Sequence, residues 1–452
     1  MSAPLSPAAN AMSWREWLWP LPSAAPAPQD GVAAWERGGR ILLLAILLVG
    51  LPIALNRQAT NKDLDFRGFY EAGRSVLEHG QRLDDTSFHY YLPSLDVAFV
   101  AVAWLPMPIA GGLWYLLGCC SWIGLLQSAS RYLLDDFDRP TRRAVTLLAG
   151  LLVTPLAVDG FCLGAFHTFM VWSMVAGLGR ISRGRSWSGG ALLGLAVWIK
   201  LLPLLGVGYL VWKRQWKPAA IAVACALALD LALSLAGYGP QRAWQVHGRW
   251  WQEQGAGTVQ RQLSDSSPMS EDRLTNQSLV AILRRTLTAT GASQGGPRAQ
   301  ATLLRLSPTQ LRAVYLSAVA LLGFCILAVC RRPAWKTSPP MLATEIALMT
   351  LATLWFSPVV CGYHPTAATP ALMLVLARVG RRPMLLGTTI VGWLTAMSLL
   401  GWPLARAFGE MFWTTILLGG MLVATSRWFP RREEDPPLRA APQFSKTEEV
   451  CC

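Results

Sequence analysis

Long apolar runs recur along the whole 452-residue chain, and they constrain its fold more than any other feature. A hydrophobic stretch of about 18 residues or more can cross a bilayer as a helix. Only 15% of the residues are charged, whereas soluble domains carry about 25%. A string of soluble domains is therefore excluded, and the sequence predicts an all-α integral membrane protein.

The spacing of these runs predicts about twelve membrane crossings. The stretch 189–212 is too long for one simple span and carries Lys200 and Pro203 at its middle, so we expect two short helices that meet at a turn. The segment 93–107 is bracketed by prolines and is short for a crossing, which makes it a candidate re-entrant element. The other candidate spans are 41–55, 109–129, 143–157, 162–179, 217–237, 312–330, 341–357, 366–380, 384–402 and 411–426.

Basic residues gather in the short loops between these spans, and such loops stay on the cytoplasmic side of a membrane. Consecutive clusters are separated by two predicted crossings, so all of them fall on one face. The clusters are Arg139/Arg142/Arg143, Arg180/Arg183/Arg185, Lys213/Arg214/Lys217, Arg331/Arg332/Lys336, Arg378/Arg381/Arg382 and Arg427/Arg431/Arg432. The net charge of +14 therefore reports orientation rather than a nucleic-acid partner.

The same pattern divides the chain into three parts. Residues 1–40 are predicted to be a cytoplasmic N-terminal segment, 41–428 a polytopic membrane domain, and 429–452 a disordered cytoplasmic tail. The membrane domain carries two long extracytoplasmic loops, at about 56–92 and 238–311. We expect a multi-pass protein of the inner or plasma membrane with both termini in the cytoplasm.

The nine cysteines show no pattern of a metal site or a disulfide framework. Most lie in or beside apolar runs, where cysteine behaves as a small hydrophobic residue. No cofactor or metal ligand set is predicted from the residues, and a requirement for a divalent metal is left open.

The first outer loop contains an acidic candidate for catalysis. Helical spacing places Asp65 on one stripe with Phe69 and Ala72, so its carboxylate would be partly desolvated at the end of an apolar face. Lys62 or Arg67 could hold it ionised, which would suit a general base. Tyr70 lies in the same stretch. The alternative is that Asp63 and Asp65 cap the helix that follows.

The second outer loop mixes arginine with aromatic residues, around Arg242 and Trp244, and later contains Asn276. Such a mixture can bind a sugar or phosphate, or it can anchor an amphipathic helix at the membrane interface. The sequence leaves both interpretations open.

Four more polar residues lie at or near membrane depth, where ionisable side chains are costly and often functional. Lys200, at the break between two short helices, could meet an anionic head group, although its side chain could instead snorkel to the surface. Asp230 is expected to pair with a basic residue of a neighbouring helix. His364 lies at an outer turn, and His167 near the outer face is expected to be a hydrogen-bonded structural residue.

Several of these residues stand in motifs that resemble those of glycosyltransferase family 87, membrane enzymes that include polyprenol-phosphate-mannose-dependent mannosyltransferases. The similarity covers about residues 40–425. It is carried, in family order, by Asp65-Phe-Arg-Gly-Phe-Tyr-Glu-Ala-Gly73 with Tyr91-Leu-Pro93, by Gly190 to Lys200-Leu-Leu-Pro203, by Asn276-Gln-Ser-Leu279, and by Ser357-Pro358 through His364.

The resemblance implies a C-type glycosyltransferase fold with its active site on the extracytoplasmic face. The expected reaction moves a hexose, mannose among the candidates, from a polyprenyl phosphate to a lipid or glycan of the cell envelope, with inversion at the anomeric carbon. Asp65 would be the general base. The donor phosphate or sugar would be bound by some of Lys200, His364, Arg67, Tyr70, Arg242, Asn276 and His167.

The chain departs from the family pattern at Ala165, His167 and Cys361, where relatives carry Gln, Asn and an aromatic residue. These changes bear on the sugar and the acceptor, and they leave open a divergent member. Two other classes of function fit the composition: a transporter or flippase of lipid-linked sugars, and a non-catalytic scaffold for envelope assembly. Many transporters contain two related halves, and this sequence shows no convincing internal repeat.

Overall fold

The computed structural model describes residues 30–61, 64–81, 91–255, 274–288 and 301–426. Within those ranges the chain forms helices and turns and no β-strand. The expectations for Lys62 and Asp63, for residues 1–29 and for the tail after 426 lie outside the described residues.

Seventeen α-helices succeed one another in the described part of the chain. They are α1 (Asp30–Thr60), α2 (Asp65–His79), α3 (Ser94–Ala98), α4 (Val100–Ala103), α5 (Met107–Leu133), α6 (Arg139–Leu163), α7 (His167–Ile181), α8 (Ser186–Ile199), α9 (Leu204–Trp212), α10 (Trp216–Trp250), α11 (Leu279–Leu287), α12 (Pro308–Val329), α13 (Pro339–Trp355), α14 (Thr369–Val379), α15 (Pro383–Leu399), α16 (Pro403–Phe408) and α17 (Glu410–Ser426). A π-helical turn covers Trp251–Gly255, and 3-10 turns cover Ala334–Lys336 and His364–Ala368.

Apolar helices of membrane length make up much of this structure. Among the described residues, α1, α5, α6, α10 and α12 are long and apolar enough to cross a bilayer, and α8, α15, α17 and the α3–α4 segment are shorter apolar elements. Every predicted span overlaps a helix, although the span 162–179 begins at the end of α6 and crosses the turn before α7, and the span 366–380 begins in a 3-10 turn. The predicted break at Lys200–Pro203 separates α8 from α9. The membrane character of the chain is thus supported, whereas the number of twelve crossings stays a prediction.

The centre of the bundle is formed by α7, α13 and α14. All eleven residues of α14 are buried, and so is every residue of α13 from Leu342 to Trp355. Around them, α8 packs between α7 and α10, and α1 packs on α6. In contrast, α12 buries only Leu311 and Ile326, which is the pattern of a helix that faces lipid.

The bundle has two distinct ends. At one end lie the start of α2, the start of α7, the α8–α9 break and the turn after α13, and we call this the recess end. The five basic clusters that fall within the described residues lie at the opposite end of the bundle, where Arg183 bonds to Asp135 at 3.0 Å; the sixth, Arg427/Arg431/Arg432, lies outside those residues. This arrangement agrees with the alternation deduced from the charges. The sidedness in a cell stays a prediction.

Two members of those clusters are buried inside the bundle rather than exposed in loops, contrary to expectation. Lys213 is fully buried and pairs with Glu345 of α13 at 2.8 Å. Arg378 is buried between helices and donates to the Leu422 carbonyl at 3.0 Å and to the Thr344 hydroxyl at 2.6 Å. Both cations find acceptors inside the bundle, which offsets the cost of removing them from water.

Asp230 of α10 also differs from its prediction, because its partners are not an arginine or a lysine. The Ser94 hydroxyl donates to its Oδ1, and His247 Nε2 lies 3.6 Å from its Oδ2. His247 can reach this position because α10 kinks at Gly239, whose φ of 73° is favourable for glycine. The carboxylate therefore links α10 across the kink to α3.

The helix α2 begins one residue earlier than a cap at Asp65 would require. Leu64 occupies the N-cap position and no side chain caps the helix, so Asp65 is its first residue rather than its cap. Phe69 and Ala72 are buried, which confirms the predicted apolar stripe. Gly164 approaches Phe66 so closely that a Cβ at this position would overlap it. This contact fixes the start of α2 against the α6–α7 turn.

Candidate active site

Asp65 lies in a recess at one end of the bundle. Its side chain is partly exposed by surface area, yet protein surrounds it on most sides. The Tyr363 hydroxyl donates to Asp65 Oδ2 at 3.4 Å. Burial raises the pKa of this carboxyl, while the charge of Lys200 and the hydrogen bond from Tyr363 act in the opposite direction. Asp65 is thus a carboxylate with raised basicity beside a cation.

Among the described residues, the cation beside Asp65 is Lys200 and not Arg67; Lys62, the other candidate from the sequence, lies outside them. Lys200 follows the last turn of α8 in extended backbone conformation, with φ of −151° and ψ of 137°. Its ammonium does not snorkel to the surface but points to His364, with Nζ 3.5 Å from Nε2. The break before Pro203 therefore serves to bring a charged side chain into the recess.

The hydrogen bonds of His364 determine which of its ring nitrogens carries the proton. The backbone N–H of Cys361 donates to Nδ1 at 2.8 Å, so a neutral ring carries its proton on Nε2. Nε2–H and the Lys200 ammonium are then both donors. Two donors 3.5 Å apart cannot satisfy each other, and a pair of this kind can bind an anion; we call the pair the anion site.

His167 holds the backbone that carries His364. Its Nε2 lies 2.8 Å from the His364 carbonyl oxygen, and because a carbonyl only accepts, this nitrogen is the protonated one. The two rings lie 4.5 Å apart between centroids, and His167 is buried. This confirms the expectation of a hydrogen-bonded structural residue, and it places His167 directly behind the anion site.

Aromatic side chains form the floor below Asp65. Phe69 stacks on Phe99 with ring centroids 5.0 Å apart, and Trp114 meets Phe166 edge-to-face at 4.5 Å. Tyr91 packs edge-on against Phe69 at 5.0 Å and interacts electrostatically with Asp65. Since this floor is apolar and tightly packed, it limits the access of water to the carboxylate.

Asn276 ties the second predicted outer loop to the turn that carries His364. Its Oδ1 accepts from the backbone N–H of Val360 at 3.1 Å, and its Nδ2 donates to the Pro358 carbonyl at 3.4 Å. The backbone N–H of Gln277 donates to the Val360 carbonyl at 2.7 Å. The amide of Asn276 is thus engaged with protein backbone, so its position is that of a residue that shapes the recess.

Three other candidates from the sequence make contacts away from the Asp65 carboxylate. Arg67 forms an ion pair with Glu71 at 2.7 Å, and the Tyr70 hydroxyl donates to the Leu105 carbonyl at 2.8 Å. Arg242 donates to the Gly80 carbonyl at 3.1 Å. This contact is at the far end of α2, about 22 Å from Asp65 along the helix. The structure does not bring Arg242 to the recess.

Tyr363 is a recess residue that the sequence did not single out, and Cys361 is one that was noted only as a departure from the family pattern. The Tyr363 ring stacks on His364 with centroids 4.4 Å apart, and Cys361 interacts electrostatically with Lys200. For Tyr363 the only signal in the sequence was its position next to His364. Within the described ranges, no group of three or more His, Cys, Asp or Glu side chains could hold a metal ion.

Comparison with known proteins identifies the family. Residues 88–358, more than half of the chain, match the sequence model of glycosyltransferase family 87. This range contains Lys200 and Asn276, whereas Asp65 and His364 lie just outside it. No curated protein and no solved structure matches the chain. The chain therefore belongs to glycosyltransferase family 87, and it is a membrane glycosyltransferase.

Proposed function

We propose that this protein transfers a hexose from a polyprenyl-phosphate donor to a lipid or glycan acceptor of the cell envelope, at the extracytoplasmic face of the membrane. The proposal rests above all on one juxtaposition. A carboxylate that can act as a base and a pair of donors that can hold a phosphate lie on two sides of a single side chain, Tyr363. Its hydroxyl contacts Asp65 and its ring stacks on His364.

The chemistry follows from this arrangement. Asp65 takes the proton of the acceptor hydroxyl as the oxygen attacks the anomeric carbon. The bond between that carbon and the phosphate oxygen breaks, and the polyprenyl phosphate leaves with the electron pair. Lys200 and the Nε2–H of His364 stabilise the charge that develops on the departing phosphate. A direct displacement of this kind inverts the configuration at the anomeric carbon.

The recess suits a lipid-linked donor for a second reason. The recess belongs to a bundle that contains apolar helices of membrane length, so a polyprenyl chain can remain in the hydrocarbon layer while its phosphate reaches Lys200. The basic clusters at the opposite end of the bundle favour an extracytoplasmic position of the recess. A sugar nucleotide made in the cytoplasm would not meet this face.

Transfer can be tested with purified protein in nanodiscs. Polyprenyl-phosphate hexoses of several kinds, radiolabelled in the sugar, would be incubated with a membrane lipid and glycan extract, with and without EDTA. We expect label to move from the donor into an acceptor fraction with one of the hexoses. Comparison with and without EDTA then decides whether a divalent metal is needed.

The same preparation separates the alternative functions. In proteoliposomes, a flippase would move the labelled donor between leaflets without breaking its glycosyl bond. Translocation of intact donor and no transfer with any hexose would contradict the proposal. The absence of both sugar transfer and donor translocation would favour a scaffold.

The raised pKa of Asp65 predicts the direction of the pH dependence. A base must be ionised, so kcat/KM should fall as the pH drops through the pKa of Asp65, at a higher pH than the usual aspartate value of about 3.9. The hydrogen bond from Tyr363 favours the ionised form, and Tyr363→Phe should therefore move the acid limb to still higher pH. The measurement is kcat/KM against pH for both proteins. A limb that stays in place in Tyr363→Phe would contradict the assignment of Asp65 as the titrating group.

A further inference from the structure

A second buried ion pair lies at the end of the bundle opposite to the recess. The side chains of Lys213 and Glu345 are 0% and 1% exposed. Lys213 Nζ lies 2.8 Å from Oε2 and 2.9 Å from Oε1 of Glu345, and it donates to the Thr337 hydroxyl at 2.9 Å. The Tyr209 hydroxyl donates to Glu345 Oε2 at 2.8 Å. Both charged groups are therefore fully hydrogen-bonded, although both are removed from water.

The pair joins the two elements that deliver the anion site. Lys213 immediately follows α9, which begins next to the Lys200 turn, and Glu345 belongs to α13, which ends just before the turn with His364. The nine residues of α9 rise about 14 Å, and the part of α13 from Glu345 to Trp355 rises about 15 Å. The two helices are packed against each other. Two helical segments of nearly equal length therefore connect the ion pair to the anion site.

The energetics of buried ion pairs indicate that this pair fixes the alignment of α9 and α13 more than it stabilises the fold. The desolvation of two charges can cancel their attraction, and apolar side chains of similar volume often replace a buried pair without loss of stability. A pair of complementary hydrogen-bonded charges nevertheless permits only one alignment, whereas apolar faces tolerate several. A shift of one helical turn would move α9 by about 5.4 Å, more than the 3.5 Å between Lys200 and His364.

We propose that the Lys213–Glu345 pair is a positioning device that fixes the height of Lys200 relative to His364. It acts on the anion site through α9 and α13 and does not touch the substrate. The inference rests on the proposed function, because the site that it positions is the proposed phosphate site.

The test uses two variants that separate position from stability. The double variant Lys213→Met/Glu345→Leu removes both charges and keeps apolar volume. We expect its melting temperature to stay close to that of the wild type, because the removal of two desolvated charges offsets the loss of the acceptor of the Tyr209 hydroxyl. Its donor KM should rise at least about tenfold, the size of one lost charge-assisted hydrogen bond. The single variant Glu345→Gln keeps an acceptor for Lys213 but leaves its charge unpaired. It should melt at a lower temperature and retain nearly the wild-type KM.

Hydrogen–deuterium exchange provides a readout that does not depend on catalysis. The double variant should exchange faster in the peptides that cover 200–206 and 357–366, both remote from the substitutions. The matched control is Arg57→Met/Asp159→Leu, which removes an exposed pair with Arg57 and Asp159 side chains 45% and 44% accessible. It should change neither exchange in these peptides nor donor KM.

The outcomes are distinguishable. A double variant with wild-type KM and wild-type exchange would overturn the inference, and so would one that does not fold, since the pair would then hold the fold itself. The inference would also be contradicted if, in both variants, the donor KM rose whenever the melting temperature fell. If neither the wild type nor any variant transfers sugar but exchange rises in the double variant as expected, the proposed function fails while the positioning role stands.

Discussion

Asp65→Asn is expected to lower kcat by about 10²–10⁴-fold, the usual contribution of a general base. The substitution changes almost nothing except basicity, because the amide has nearly the shape of the carboxyl and its oxygen can still accept from Tyr363 at the place of Oδ2. Burial disfavours the charged form of this group, so the neutral side chain should not destabilise the fold. The donor KM should remain close to that of the wild type, because Lys200 and His364 are intact.

The measurement is sugar transfer under single-turnover conditions, with the melting temperature as a check on folding. Asp159→Asn is the matched control. It removes another carboxylate near the recess end of α6, one that pairs with Arg57 at 3.0 Å and faces solvent. We expect nearly unchanged transfer in the control. Equal transfer by Asp65→Asn and the wild type would remove Asp65 as the base and direct attention to another acceptor of the proton.

The sequence predicted the helices well because their determinants are local. An apolar run of membrane length forms a helix whatever its neighbours are, since the bilayer offers no other partner to the backbone. The break at Lys200 and Pro203 also has a local cause, because a charged side chain and a proline without a backbone N–H lie close together there. The charge clusters also predicted that Lys200 and His364 lie at one end of the bundle, because the side of each turn follows from the number of crossings between the clusters.

Contacts between distant residues could not be read in this way. Tyr363 and Asp65 are 298 positions apart, and no pattern in either segment indicates that they meet. Glu345 lies in a predicted apolar span, and only the packing of α13 against α9 reveals its partner Lys213. Asp230 is only partly buried, and its partners Ser94 and His247 depend on a kink at Gly239 that the sequence does not indicate.

Substitutions at the anion site should affect donor binding rather than folding. Lys200→Gln removes a charged donor, and we expect the donor KM to rise roughly 10–100-fold, as for the loss of a charge-assisted hydrogen bond. Inhibition by free polyprenyl phosphate should weaken by a similar factor, because the released product binds through the same phosphate. Lys217→Gln is the matched control: this lysine lies over the Trp187 ring at 5.7 Å, at the opposite end of the bundle.

His364 offers two variants that test its proton directly. His364→Asn keeps an acceptor near the place of Nδ1, where the Cys361 N–H donates at 2.8 Å, and removes the donor at Nε2. His364→Gln keeps a donor near Nε2 instead. If Nε2–H binds the phosphate, His364→Gln should retain donor affinity far better than His364→Asn, and the reverse order would contradict the assigned tautomer.

Combining Lys200→Gln with His364→Asn then decides whether the two residues act on one ligand. Substitutions at independent sites add in free energy, whereas residues that share a partner are coupled by about 0.5–3 kcal/mol. We expect the double variant to bind donor less weakly than the two single effects predict, because a phosphate that has lost one donor is held less firmly by the other. Strict additivity would mean that Lys200 and His364 contact different parts of the substrate, and the 3.5 Å between them would then serve the protein rather than the phosphate.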